Sequence, residues 1–390
     1  MTSARIEDVT EFVLDGTHAS PIRTETGVPV LSAQNVREGT LNFATDRYTS
    51  SDEYEAFKKR LPLQAGDVLL TIVGTIGRAA VLEEARPLVF QRSVAVMRPR
   101  PGVLCPRFLY HVSQTRQFQV QLARSANRSS QAGVYLGKLK ELRVPIPPLS
   151  EQRRIAAILD KANALRTKRR AALTKLDTLT QSIFIEMFGD PANNAKGWPI
   201  TTIGDLLESA SYGTSEKAST SGEFAVLRMN NITPNGEMNF SDLKYMDLAE
   251  NQRDRYLVRR GDVLFNRTNS AELVGKTAIY RGSVQMAYAG YLIRLRAKPG
   301  SEPEYLAAFL NTSYAKRVLR GMCKSIIGMA NINATEVQSI RIPKPDVALQ
   351  RAFAKRVACI EKIKAVARSL TEQHARLFAS LQSRAFRGKL

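Results

Sequence analysis

The strongest constraint on this chain is that it is written twice. Gly66-Asp67-Val68-Leu69 recurs 195 residues later as Gly261-Asp262-Val263-Leu264. Before it, VPVLSAQNVREGTLNF (28–43) resembles EFAVLRMNNITPNGEMNF (223–240), which aligns Asn35 with Asn231. After it, RFLYHVSQT (107–115) resembles EYLAAFLNT (304–312), and LRVPIPPLSEQRR (142–154) resembles IRIPKPDVALQRA (340–352). The four matches are collinear, and the offset stays between 195 and 198 residues, as small loop insertions produce. A tandem duplication requires both halves to adopt the same fold.

Each half opens with about 145 residues of short apolar runs punctuated by Gly, Asn and Pro, such as DVLLTIVG and SVAVMRP, which are strand signals. Short helices are expected around Arg107–Leu122 and Glu304–Leu319, and a Pro-rich stop then leads into about 40 residues of helical pattern. In the first long segment Ile155, Ile158, Ala162, Leu165, Arg169, Ala172, Leu176, Leu179 and Ile183 recur at alternating three- and four-residue steps. In the second, Ile360, Ile363, Ala367, Leu370, His374, Leu377 and Leu381 do the same. Such spacing is a coiled-coil seam, and about 40 residues at 1.5 Å rise make a helix of roughly 60 Å. Ser150 is expected to cap the first helix, with Gly189 and Pro191 stopping it; Asp346 and Gly388 bracket the second. An antiparallel pair with Ile155 opposite Leu381 sets Arg169 against Ala367 and His374 against Ala162, so that each bulky polar group meets a small one. The expected fold class is α+β: two pseudo-repeated domains joined by two long antiparallel helices.

The charge balance points to the partner. Lys and Arg number 57 against 36 Asp and Glu, a net charge of +21 with a pI near 10.1, which calls for a polyanion: nucleic acid or an anionic membrane surface. No run approaches the ~20 apolar residues of a spanning helix, and MTSARIEDVTEF lacks the apolar core of a secretory signal. Cys105, Cys323 and Cys359 are too scattered for a disulfide framework, and three histidines without a CxxC pair give no metal site. A reduced, cytoplasmic, nucleic-acid-binding chain is expected.

Two variable domains, each followed by a helix introduced by a motif like Pro145-Ile146-Pro147-Pro148-Leu149-Ser150-Glu151-Gln152, resemble the specificity subunit of type I restriction–modification enzymes. The helix ending Phe184-Ile185-Glu186-Met187-Phe188-Gly189-Asp190-Pro191, followed by Gly197-Trp198, is similar to that family's central conserved region. The resemblance implies two target-recognition domains (1–147 and 191–345), each reading one half of a bipartite site in double-stranded DNA. It implies a spacer and methyltransferase-docking helix at 148–190 and a distal helix at 346–390. Two methyltransferase subunits and endonuclease/translocase subunits are the implied partners. They carry S-adenosylmethionine, ATP and Mg, and this chain carries no cofactor and no active site. The motif implies docking through Pro147, Pro148, Glu151, Gln152 and, in the second copy, Gln350; Pro345-Asp346-Val347-Ala348-Leu349-Gln350 lacks the Pro, Ser and Glu of the first. A stand-alone DNA-binding or architectural protein of the same fold is the alternative.

The residues offer little chemistry of their own. No Asn/Asp-Pro-Pro-aromatic loop is present to grip a flipped base, and Gly74-Thr75-Ile76-Gly77 reads as a strand-joining turn. Ser270–Thr277 departs from a phosphate-binding loop at its first position, where Ser270 replaces the required glycine. Recognition of base edges instead needs Arg, Lys, Asn or Gln, and phosphates take Lys, Arg, Ser, Thr and backbone N–H groups. The candidates in the first half are Gln34, Asn35, Arg37, Thr75, Arg78, Gln91 and Arg92, with Arg124, Asn127 and Arg128 in a loop that has almost nothing to bury. In the second half they are Arg228, Asn230, Asn231, Asn266, Arg267, Asn269, Lys276, Tyr288, Lys324, Asn331 and Asn333. The repeated Asp67 and Asp262 are expected to fix a turn.

Overall fold

The computed structural model describes residues 2–127, 132–270, 272–326 and 329–389, so Arg128 lies outside the described residues, as does the side chain of Lys324. The chain divides into two compact units, Met1–Lys168 with Thr371–Leu390 and Arg169–Leu370.

In the first unit an antiparallel four-stranded sheet runs in the order Thr10–Asp15, Val94–Pro99, Val68–Thr71, Ala79–Val81. Alternate residues along a strand face opposite sides. Val68, Leu70, Ala79, Val81, Ala95 and Met97 face a core shared with Phe108, Leu109 and Phe118. Leu69, Ala80, Val94 and Val96 face a second core built on Val30, Leu31, Val89 and Phe90. A sheet covered on both faces needs unbroken apolar strands, which is why DVLL and SVAV carry no polar alternation. The second core belongs to a three-stranded sheet, Tyr48–Thr49, Val28–Leu31, Val89–Phe90.

The second unit repeats this plan. Its four-stranded sheet is Leu207–Tyr212, Leu292–Ala297, Val263–Asn266, Thr277–Ile279, again sandwiched, with Val263, Phe265, Ile293 and Leu295 on one side and Leu264, Ala278 and Leu292 on the other. Each expected short helix is in fact two, Pro106–Ser113 then Arg116–Ser125, and Pro303–Leu310 then Ser313–Met322. Thr115 and Thr312 break them, each accepting a capping bond from the backbone N–H three residues on.

The repeated Gly-Asp-Val-Leu has one role in both units. Gly66 and Gly261 adopt φ of +93° and +96°, a conformation open to glycine. Asp67 accepts from the Gln64 N–H at 2.8 Å and binds Arg98 bidentately at 2.8 and 2.9 Å; Asp262 does the same with the Arg259 N–H and Arg296, each at 2.8 Å. A second pair is kept in geometry and reversed in sign. Glu83 meets Arg107 at 2.7 Å in the first unit, and Arg281 meets Glu304 at 2.7 Å at the matching positions of the second.

The long helices are Leu149–Phe188 and Val347–Ala385. In the first unit Ile155, Ala156 and Leu159, near the start of one, share a core with Phe378, Leu381, Ala385 and Phe386, near the end of the other. In the second unit Ile183, Phe184 and Phe188 meet Leu349, Phe353 and Val357. Start meets end in each, so the helices are antiparallel.

Two expectations need correcting. Ser150 lies inside the first helical turn rather than at its cap. The seam is also displaced at alternate positions: Ile155, Ala162, Arg169, Leu176 and Ile183, and Ile360, Ala367, His374 and Leu381, are buried or half-buried as expected. Leu165, Leu179, Ile363, Leu370 and Leu377 are 38–62% exposed, whereas Leu159, Arg166, Leu173 and Thr180, and Lys364, Thr371 and Phe378, take the inward positions one residue later. The physical reason is what each side chain can satisfy there. Lys364 is buried against Asp177 and Glu237, and the Arg166 guanidinium stacks on Phe378 at 4.4 Å, so polar residues occupy the seam and leave leucines outside.

Candidate nucleic-acid interface

Three first-half candidate segments that are distant in sequence meet in space. Gln34, Asn35 and Arg37, then Thr75, then Gln91 line one groove of about 480 Å³ in the first unit. The sheet makes the convergence: Leu31 pairs with Phe90 in parallel, and Thr71 with Val94, which brings the loops at their ends together. A smaller recess of about 220 Å³ adjoins it through Val73, Gln91 and Ser93 and adds Thr17, His18 and Arg92. Gln34, Arg37, Thr75 and Arg92 are exposed, while Arg78 and Gln91 are half-buried. Asn42, Thr45 and Arg47 also line the groove and were missed. Asn42 carried a signal, since Asn35…Asn42 is mirrored by Asn231…Asn239.

Several candidates are committed elsewhere, each for a reason sequence could not supply. Asn35 accepts from the Ser32 N–H and donates to Asn42 O and Ala44 O, and Asn231 accepts from the Arg228 N–H and donates to Asn239 O and Asp242 O. Both are buried amides that close their own turns. Asn333 is the cap of helix Ala334–Ser339, exchanging bonds with Glu336. Asn127 accepts from the Gly133 N–H and so closes its loop, and Asn269 accepts from the Ser270 N–H.

Lys276 donates to Met229 O at 2.9 Å and Ile232 O at 2.7 Å, and burial lowers its pKa, so it clamps a turn rather than reaching outward. Tyr288 is fully buried, with its pKa pushed up to about 12 by desolvation. Asn266 is fully buried with both amide atoms unpartnered. Arg228 is bound to Asp242 at 2.8 Å, and Arg267 lies over Tyr212 at 4.7 Å. Arg124, Asn230 and Asn331 are exposed.

The docking motif is also corrected in part. Gln152 is fully buried: it donates to Val103 O and Pro147 O at 2.9 Å and accepts from the Cys105 N–H at 2.8 Å. Gln350 is its equivalent, donating to Pro345 O at 2.8 Å and accepting from the Glu302 N–H at 3.2 Å. Each pins the N-terminus of a short helix to the long one and cannot touch a partner. Pro147 is buried; Pro148 is exposed, and Glu151 is half-exposed and paired with Arg154.

A family model for the type I restriction modification DNA specificity domain matches residues 2–175 and again residues 195–369. The chain belongs to that family. The two matches follow the internal duplication. Among specificity-subunit relatives, that of the type I restriction enzyme EcoKI from Escherichia coli K12 is 23% identical over 395 residues, covering 93% of this chain and 82% of that protein. That of StySPI from Salmonella potsdam is 21% identical over 392 residues, with the same coverage. The fold is likewise that of the crystal structure of a type I restriction–modification S subunit from M. genitalium, with a TM-score of 0.59 at 13% identity over 99% of this chain and 96% of that one. A chain from a structural study of type I system assembly gives a TM-score of 0.57 at 18% identity, covering 100% and 98%. Among the described residues, no helix of this specificity-domain protein is long and apolar enough to cross a membrane.

Proposed function

We propose that this chain is the sequence-specific DNA-binding subunit of a cytoplasmic type I restriction–modification complex, each unit reading one half of a bipartite site. The observation that carries the reading is the convergence of Gln34, Arg37, Thr75 and Gln91 on one groove. Those groups supply donors and acceptors for base edges and, in Arg37, a cation for phosphate, on a chain of net charge +21. The chemistry, adenine-N6 methylation with S-adenosylmethionine and ATP- and Mg-dependent cleavage, belongs to the partner subunits. The long helices set the spacing between half-sites and receive the methyltransferase subunits on their outer faces. In the first unit Leu165 and Leu377 are exposed there, and in the second Leu179, Ile363, Val366 and Leu370; exposed apolar rows of this kind suit a helical partner.

Mapping adenine methylation in cells with and without this chain tests the assignment, and replacing residues 1–147 by another recognition domain tests modularity. The expected hybrid methylates a site with one half changed and the other kept. A methylation pattern indifferent to the chain would sink the assignment, and a hybrid altered in both halves would sink independent reading.

A further inference from the structure

The second unit contains a buried charge cluster that has no counterpart at the matching described positions of the first unit. Lys364, on the second long helix, is buried, with its Nζ 2.9 Å from Glu237 Oε1, 3.2 Å from Asp177 Oδ1 and 3.6 Å from Glu361 Oε1. Arg368, one turn on, binds the other Glu237 oxygen. Burial opposes the charge on Lys364, but the hydrogen bond and field of Glu237, with Glu361 and Asp177, outweigh it and raise its pKa. Burial likewise raises the Glu237 pKa, and Lys364 and Arg368 overcome that and lower it. Both groups are therefore held charged. The cluster borders a cavity of about 50 Å³, enough for a water molecule or two and too small for an organic ligand.

Glu237 sits in a hairpin that begins beside the candidate reading residues. Thr233 N–H donates to Glu237 O at 2.9 Å, Glu237 N–H to Thr233 Oγ1 at 3.1 Å, and Asn239 N–H to Asn231 O at 2.8 Å. Lys276 clamps the base of this hairpin through Met229 O and Ile232 O. The hairpin is thus held at its base by one lysine and near its tip by another, and the second belongs to the long helix. In the first unit the residue matching Lys364 is Arg166, which stacks on Phe378, and the residue matching Glu237 is Thr40, which carries no charge. A buried, hydrogen-bonded ion pair is strongly disrupted by loss of one partner, and fixing a register is its best-attested use.

We propose that Lys364 is a positioning residue for reading the half-site of the second unit: through Glu237 it fixes hairpin 229–239 to the long helix and so sets the direction in which the exposed Asn230 meets DNA. The proposal rests on the DNA-reading assignment above. The full chain is first used to select its site from random-sequence duplexes, and single-base variants of each half-site are then competed against that site. Lys364→Met and Glu237→Gln are each expected to cut discrimination at the second unit's half-site about tenfold, against the ordinary cost of a mismatch, while the first unit's half-site stays within about twofold. Lys364→Arg, which keeps the charge, restores it.

Melting followed by Trp198 fluorescence separates positioning from unfolding, and Glu237→Gln, of nearly equal shape, serves if Lys364→Met does not fold. Folded variants with discrimination unchanged, or reduced equally in both half-sites, would overturn the proposal. A wild-type chain that selects no sequence at all would instead overturn the DNA-reading assignment.

Discussion

Replacing Gln152 by Met keeps the side-chain length and flexibility and removes every polar atom of a fully buried amide. Three bonds go: to Val103 O, to Pro147 O and from the Cys105 N–H. Each bond has a net worth of about 0.5–1.5 kcal/mol, and each buried group left unpaired costs about 1–3 kcal/mol. The Cys105 N–H precedes helix Pro106–Ser113 and Val103 O lies in the preceding turn, so neither gains a new partner without moving that helix. A loss of about 3–5 kcal/mol follows, and at about 2–4 °C per kcal/mol for a unit of this size the melting point falls by roughly 10 °C.

The assay contains its own control, because the single tryptophan, Trp198, lies in the second unit, where its Nε1–H donates to Phe188 O at 3.0 Å. Gln152→Met is expected to lower the transition seen by far-UV circular dichroism more than that seen by Trp198 fluorescence. Gln350→Met removes two bonds and is expected to lower the fluorescence transition by about 2–3 kcal/mol. A Gln152→Met chain with an unchanged melting point would refute the pinning role and restore that glutamine as a candidate for binding a partner.

Other expectations concern charge and spacing. Arg37→Ala and Arg92→Ala should each weaken DNA binding and flatten the log–log salt dependence by about 0.9 for each phosphate that is no longer neutralised; a titration with unchanged slope would place those residues away from the backbone. Burial, with Lys276 and Arg320 nearby, brings the Lys316 pKa down to about 8. Because the unfolded chain then binds more protons, the second unit should gain stability as pH rises from about 8 towards 10. Lys316→Gln copies Gln119, which donates to Gly77 O as Lys316 does to Gly275 O. It should abolish that rise and add on the order of 2 kcal/mol at pH 7, and pH-dependent melts followed by Trp198 check both. Four residues inserted after Thr174 keep the heptad roughly in phase, and methylation mapping should return both half-sites with a different gap; the same gap in an active variant would show that the helices do not set it.

The duplication was legible from sequence because it is a linear property: four collinear matches require two copies of one fold whatever that fold is. The strands of DVLL and SVAV, the stops at Gly189 and Gly388, the antiparallel helices and the turn role of Asp67 and Asp262 follow from local pattern and symmetry. The displaced seam positions did not. Neighbouring residues on a helix point about 100° apart, so turning Arg166 inward turns Leu165 away, and the choice depends on a Phe378 more than 200 positions away. The amides divide for the same reason. Asn35 and Gln34 are adjacent in the chain, yet one is spent closing a turn and the other faces an open groove. Residue type states what a side chain can bond; only the folded chain decides which partners reach it first, because most buried donors and acceptors are spent inside the fold and the exposed ones are left over for DNA.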